Sequence, residues 1–435
     1  MTSPTISVGI MFQPQISFLL EGTFCFMGKN HTGEHQVYYR NGLIEFDGQL
    51  FSEISLTPMG EDDTFVLKEV VIGIGFHWER KEDQRFKGTL EFIVEDGKIT
   101  AVNILPIDTY LISVISSEMN ATSSIDLLKA HTVISRSWLL SQIEKRQAIE
   151  ISEAEYVSDT RTDTEWVRWW DREDHKLYDV CADDHCQRYQ GITRASQSLE
   201  AVTRAVMETY GETLTYQGAI CDARYSKCCG GIFEEFQNCW EPVQYPYLTK
   251  KYDGNGDDLP LPLPDLTQEG AAEVWIRSAP PAFCNTHDQT ILSQVLNNYD
   301  YETTQFYRWS VCYTAEFLSD LILRRIGIDF GEILDLIPLE RGTSARITKL
   351  KVVGSKKTMV LGKELLIRKA LSESHLYSSA FVVDKTPEGF LLTGAGWGHG
   401  VGLCQIGAAV MAANGVDYRS ILNHYFCGSE LTKQY

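Results

Sequence analysis

Glu118 is the residue whose type and spacing best suit proton exchange with a substrate. After Pro106, which suits a helix start, Ile107, Leu111, Val114 and Glu118 recur at helical spacing, so the carboxyl falls on the apolar stripe of a helix near its C-terminus. Desolvation and the negative end of the helix dipole both favour the protonated form. That combination makes a general acid, as in a glycosidase whose acid sits in a hydrophobic pocket. An exposed helix-end glutamate or a structural carboxylate would show the same spacing.

A second cluster has metal-ligand character. His175, Cys181 and Cys186 lie close in sequence, with His185 adjacent, and a Cys-x4-Cys pair with a nearby His falls among zinc-ligand spacings. A disulfide or two plain thiols would fit the same cysteines, and the choice between His175 and His185 is open. Cys221, Cys228, Cys229 and Cys239 have no Cys-x2-Cys spacing and read as buried thiols. The run Gly394-Ala-Gly-Trp-Gly-His-Gly-Val-Gly402 contains neither Gly-x-Gly-x-x-Gly nor a following Gly-Lys-Ser/Thr, which argues against a phosphate cradle. It offers either backbone that can approach a ligand, with Trp397, His399 and Gln405 nearby, or a tight crossing that glycine alone allows. Trp166, Trp169 and Trp170 read as a helix face packed in a core, although such rings also stack on sugars.

The elements that must position these residues read as α+β: a β-rich N-terminal part followed by a mixed α/β core with insertions. Residues 6–12, 16–20 and 69–76 are short apolar strand-like runs, and Asp96-Gly97 joins 89–94 to 99–105 as a hairpin. A second helix follows the Thr122-Ser-Ser124 cap cluster, with Leu127, Ala130, Ile134 and Trp138 on one face. The pattern predicts a helix over 306–323, a strand over 347–353, a helix over 404–413 closed by Asn414-Gly415, and a short helix from Asp417. The expected division is a β-rich region over 1–88 and a core over 89–435. Inserted segments cover about 140–215 and 253–305, the latter opening on a Gly, Asp and Pro-rich loop at 253–264.

The net charge of -20 disfavours nucleic acid and anionic lipid as partners, because both need clustered Lys and Arg. No run approaches membrane-spanning length, and no export signal precedes the first strand, so the sequence alone predicts a cytoplasmic protein. Eleven cysteines without such a signal favour thiols or metal ligands over disulfides.

Four separated stretches resemble the stage II sporulation protein D and amidase enhancer family. Residues 105–119, Leu-Pro-Ile-Asp-Thr-Tyr-Leu-Ile-Ser-Val-Ile-Ser-Ser-Glu-Met, look like its Leu-Pro-Leu-Glu-x-Tyr-Leu…Val-x-x-Ser-Glu-Met segment, and 128–138 resemble the helix that follows it. Residues 223–231 resemble its Tyr-His-Ser-x-x-Gly-Gly stretch, and 396–408 its Gly-His-Gly-Val-Gly-x-Ser-Gln-x-Gly-Ala box. The order is the family's, from about residue 70 onward. Ser226 replaces the family's His, Cys404 the Ser before Gln405, and His131 an expected Gln.

The resemblance implies a peptidoglycan lytic transglycosylase that cuts peptide-free glycan strands between N-acetylmuramic acid and N-acetylglucosamine, with Glu118 as catalytic residue. It implies glycan strands or muropeptide fragments as partners, and Arg136, Tyr225, Trp397, His399 and Gln405 as substrate contacts or supports. Some members bind zinc through one His and two Cys, which implies His175, Cys181 and Cys186 as ligands of a structural zinc; no organic cofactor is expected. The alternative within the family is a non-catalytic enhancer of a partner amidase. The family points to the cell envelope, against the missing export signal.

Overall fold

The computed structural model describes residues 3–74, 79–120, 123–152, 158–169, 175–183, 185–192, 199–256, 262–295 and 304–435. Phe76, Thr122 and Trp170, named above in a strand, a cap and a helix face, lie outside them. The chain forms two compact units: Met1–Arg136 with Glu173–Glu212 and Lys433–Tyr435, and Ser137–Arg172 with Thr213–Thr432. The fold is α+β.

The first unit opens with strands β1 (Thr5–Gln13), β2 (Gln15–Phe26), β3 (Lys29–Arg40), β4 (Leu43–Phe46), β5 (Gln49–Phe51), β6 (Ile54–Pro58), β7 (Thr64–Ile72), β8 (Arg80–Lys87), β9 (Thr89–Glu95) and β10 (Lys98–Pro106). They join one sheet ordered β1-β10-β9-β6-β2-β3-β4-β5, with β7 on β2 and β8, and the short strand Val180–Cys181 pairs parallel to β1. Alternation drives the pairing: Ile16, Phe18, Leu20 and Phe24 of β2 are buried, and Phe18 meets Phe92 of β9 at 5.1 Å between ring centroids. The Asp96-Gly97 hairpin forms as expected, with φ of 41° and 76° and Glu95 opposite Lys98.

Helix α1 (Ile107–Glu118) follows β10 directly, and α2 (Ile125–Ser152) starts with Ser124 Oγ accepting the Leu127 N–H at 3.3 Å. A third helix, α3 (Leu199–Glu208), packs on α1 through buried Val202, Ala205 and Val206. Arg136 lies at the centre of this layer with no exposed surface. Its guanidinium donates to Asp108 Oδ1 at 2.7 Å, to the carbonyls of Thr209 and Glu212 at 2.9 and 3.0 Å, and to the Tyr435 hydroxyl at 3.1 Å.

In the second unit, Trp166 lies in a strand, Glu165–Arg168, paired with Thr358–Gly362, which corrects the expected helix face. Trp166 is buried and donates to Asp159 Oδ1 at 2.6 Å, while Trp169 lies under the Lys363 ammonium at 3.9 Å. The expected helix over 306–323 is a strand, Arg308–Thr314, followed by a helix, Ala315–Ile326. The first half alternates with period two, and Thr314 Oγ1 then caps the helix by accepting the Phe317 N–H at 3.2 Å. The strand at Ile347–Gly354 and the helices at Gln405–Ala413 and Tyr418–Tyr425 form where expected, the last capped by Asp417. Among the described residues no helix is long and apolar enough to cross a membrane.

Replacing a buried, ion-paired arginine leaves Asp108 without its cation, a change that costs about 3–5 kcal/mol. Arg136→Met should therefore lose about that much unfolding free energy in urea titration, and Arg136→Lys should recover little because one ammonium cannot reach four acceptors.

Candidate active site

Glu118 is the last residue of α1, where the chain turns to extended backbone at Met119 (φ -119°, ψ 153°). Ile107, Leu111 and Val114 on the same stripe are fully buried, whereas Glu118 itself is half-buried. Its Oε1 accepts the backbone N–H of Arg188 at 3.4 Å.

That donor sits in a segment pinned to the helical layer. Tyr189 stacks on Tyr110 of α1 at 5.1 Å, and its hydroxyl donates to Asn103 Oδ1 at 2.6 Å. The Tyr110 hydroxyl donates to Gln187 Oε1 at 3.2 Å, Gln187 Nε2 to the Ser135 carbonyl at 3.3 Å, and Ser113 Oγ to the Gly191 carbonyl at 2.6 Å. Burial pushes both tyrosine hydroxyls up, so they stay neutral donors.

One residue before this segment, His175, Cys181, His185 and Cys186 bring one ligand atom each within 4.8 Å of the others. His185 Nδ1 is 3.2 Å from His175 Nε2, 3.5 Å from Cys186 Sγ and 3.9 Å from Cys181 Sγ. Both cysteines are free thiols, and Cys181 is pushed up to about 11, first by its contact with Cys186 and then by burial. Four N and S donors at these separations suit a tetrahedral zinc, whose binding would displace the thiol protons. A pocket of about 260 Å³ lies beside the cluster, lined among others by Met11, Phe12, His175, His185 and Arg188.

The second unit holds the glycine-rich loop. Gly396, Gly398, Gly400 and Gly402 all have positive φ, and a Cβ on Gly400 would lie 2.4 Å from the Arg346 guanidinium. The loop wraps that buried arginine, which donates to the carbonyls of Gly398 and Cys229 at 3.0 and 3.1 Å and to Ser344 Oγ at 2.8 Å. His399 Nε2 donates to the Tyr225 carbonyl at 2.9 Å and Nδ1 accepts the Val401 N–H at 3.0 Å, which assigns the Nε2–H tautomer and engages both ring nitrogens. Gln405 is buried at the first turn of its helix, and half-buried Trp397 packs at a tilt against Tyr377 at 4.4 Å and Phe306 at 4.9 Å between ring centroids.

Residues 95–216 match the family described as Stage II sporulation protein, and residues 234–402 match a domain of unknown function. The chain is 22% identical over 334 residues to stage II sporulation protein D of Bacillus subtilis (strain 168), covering 77% of this chain and 76% of that protein. Over most of its length the chain is similar to stage II sporulation protein D. It is also 24% identical over 347 residues to an uncharacterized protein of Brachyspira hyodysenteriae, covering 80% and 72% of the two chains. With the amidase enhancer of Bacillus subtilis it shares 26% identity over 333 residues, 73% of this chain and 40% of that protein.

The stage II sporulation protein match contains Glu118, Arg136 and all four members of the His/Cys cluster, and these belong to the first unit. Tyr225, Trp397, His399 and Gln405 belong to the second. Sequence reasoning missed Arg188, which acts through its backbone and so leaves no side-chain signal, and Arg346, whose signal was the run of glycines it requires.

Burial, then Arg224 and Arg346, hold His399 well below the usual histidine range, so the folded chain keeps it neutral. Above about pH 6.5 the folded and unfolded states are both neutral and the group contributes nothing to the pH dependence. Below it the unfolded chain binds a proton that the folded chain does not, and stability falls by up to about 1.4 kcal/mol per pH unit. Urea unfolding at pH 7 and pH 5 should show a smaller acid loss for His399→Gln than for wild type; equal losses would contradict the assignment.

Proposed function

We propose that the protein is a peptidoglycan lytic transglycosylase acting on peptide-free glycan strands in the cell envelope. The single observation that carries this reading is Glu118: a half-buried carboxyl at a helix C-terminus inside the matched family segment, with one backbone N–H directed at it. Glu118 enters protonated and gives its proton to the glycosidic oxygen between N-acetylmuramic acid and N-acetylglucosamine. As that C1–O bond breaks, the 6-hydroxyl of the muramic sugar attacks C1, and its proton returns to the Glu118 carboxylate, which closes a 1,6-anhydro ring. One carboxyl suffices because the nucleophile belongs to the substrate, unlike the paired carboxylates of most glycosidases. The Arg188 N–H supports the anionic form in the second half of the cycle and fixes the carboxyl's orientation.

His175, Cys181 and Cys186 would hold zinc, with His185 as the fourth donor in reach, and the ion would supply a rigid anchor for the segment that carries Arg188. Arg136 has the place of a support rather than a contact. In the second unit the half-buried Trp397 and Tyr377 rings offer a stacking surface for sugar, and His399 shapes the loop around them.

A second reading, favoured by the amidase enhancer match, is a protein that binds wall material and stimulates a partner amidase without cutting glycan. Glu118→Gln separates the two. On peptide-free strands, wild type should release anhydro-terminated fragments by mass spectrometry, and the variant should do so about 10²–10⁴-fold more slowly while binding strands equally well. Wild type that binds strands and yields no anhydro ends would exclude the transglycosylase. Cys181→Ser with Cys186→Ser should lower zinc content and raise hydrogen exchange across residues 187–192 before any change in the β1–β10 sheet.

A further inference from the structure

Cys229, Asp253, Cys284 and Cys404 meet inside the second unit, and none is more than 2% exposed. One ligand atom of each lies within 4.8 Å of the other three. Cys229 Sγ is 3.6 Å from Cys284 Sγ and 3.2 Å from Asp253 Oδ2, and Cys404 Sγ accepts the Cys229 N–H at 3.2 Å. Asp253 opens the segment read from sequence as a Gly, Asp and Pro-rich loop; it is fully buried, because tertiary packing closes three thiols and Tyr425 around its carboxylate.

A carboxylate buried among thiols is costly without a cation or a full set of donors. Zinc bonded to sulfur at about 2.3 Å places neighbouring ligand atoms of a tetrahedron about 3.8 Å apart, close to the separations seen here. A disulfide needs about 2.05 Å between sulfurs, and all of these cysteines are free thiols. The surroundings resemble an outer ligand shell: the Gly231 N–H reaches Cys229 Sγ at 3.4 Å, the Tyr425 hydroxyl donates to Asp253 Oδ1 at 2.9 Å, and His424 Nε2 is 3.5 Å from the same oxygen. Gly407 lets the 405–413 helix pass close by, since a Cβ there would lie 2.6 Å from Asp253 Oδ2.

We propose that Cys229, Asp253, Cys284 and Cys404 form a second metal site, built for zinc or a similar thiophilic divalent ion and independent of the His175 cluster. Three thiolates exclude magnesium and calcium as the preferred ion, and four buried protein ligands leave no open position, so the ion is structural. It would tie the strand that follows the glycine-rich loop to three other segments of the second unit. Cys404 stands where the resembled family has serine, so the site is a departure from that family's pattern.

The test uses the full chain with the first cluster removed, His175→Ala/Cys181→Ser/Cys186→Ser, purified without chelator and analysed by elemental mass spectrometry. One equivalent of zinc should remain, whatever the first cluster holds, and adding Cys284→Ser/Cys404→Ser should remove it. Should those added changes prevent folding, cobalt reconstitution of the first-cluster variant gives an independent readout, with a tetrahedral cobalt-thiolate spectrum expected. A folded first-cluster variant with no stoichiometric zinc and no such spectrum would overturn the proposal, as would iron with a sulfide charge-transfer band or a disulfide found among these cysteines.

Discussion

The buried ion pair between Arg136 and Asp108 is the constraint on which the candidate active site depends. Removing a guanidinium from water is tolerable only when its donors are met, and here one carboxylate, two carbonyls and a tyrosine hydroxyl meet them. Asp108 lies in the first turn of α1, where the helix dipole favours an anion, and Glu118 ends the same helix. Ten residues of rigid helix, about 15 Å, separate the anchored end from the reactive one. Whatever holds Asp108 therefore sets where the backbone of Glu118 sits.

The other end of that geometry is held by the segment after the His/Cys cluster. Its side chains lock into the layer through Gln187 and Tyr189, which leaves the backbone of Arg188 facing Glu118. A metal bound one residue earlier would act on the acid through this backbone as well as through its charge.

The second unit solves a comparable problem by a different device. Among the described residues Arg346 donates to main-chain carbonyls and Ser344 and has no carboxylate partner, and the loop can close on it because Gly396 and Gly400 lack a Cβ. The glycines that invite a ligand-binding reading thus serve first to pack backbone around a buried cation. His399, with both nitrogens engaged by backbone, belongs to the same construction.

Local pattern determined much of this protein. The Asp96-Gly97 hairpin, the start of α1 after Pro106, the Asp417 cap and the place of Glu118 on its stripe depend on neighbours a few residues away, so the sequence alone determined them. The grouping of His175, Cys181, His185 and Cys186 was legible for the same reason. Period-two and period-3.6 signals merge where a strand runs straight into a helix, and so 306–323 was misread. What only the tertiary structure decided is what depends on distant residues: the Arg188 N–H at Glu118, the enclosure of Arg136 and Arg346, and the meeting of Cys229, Asp253, Cys284 and Cys404. Burial and charge pairing are properties of the packed interior, and no spacing along the chain encodes which remote residue will supply the partner.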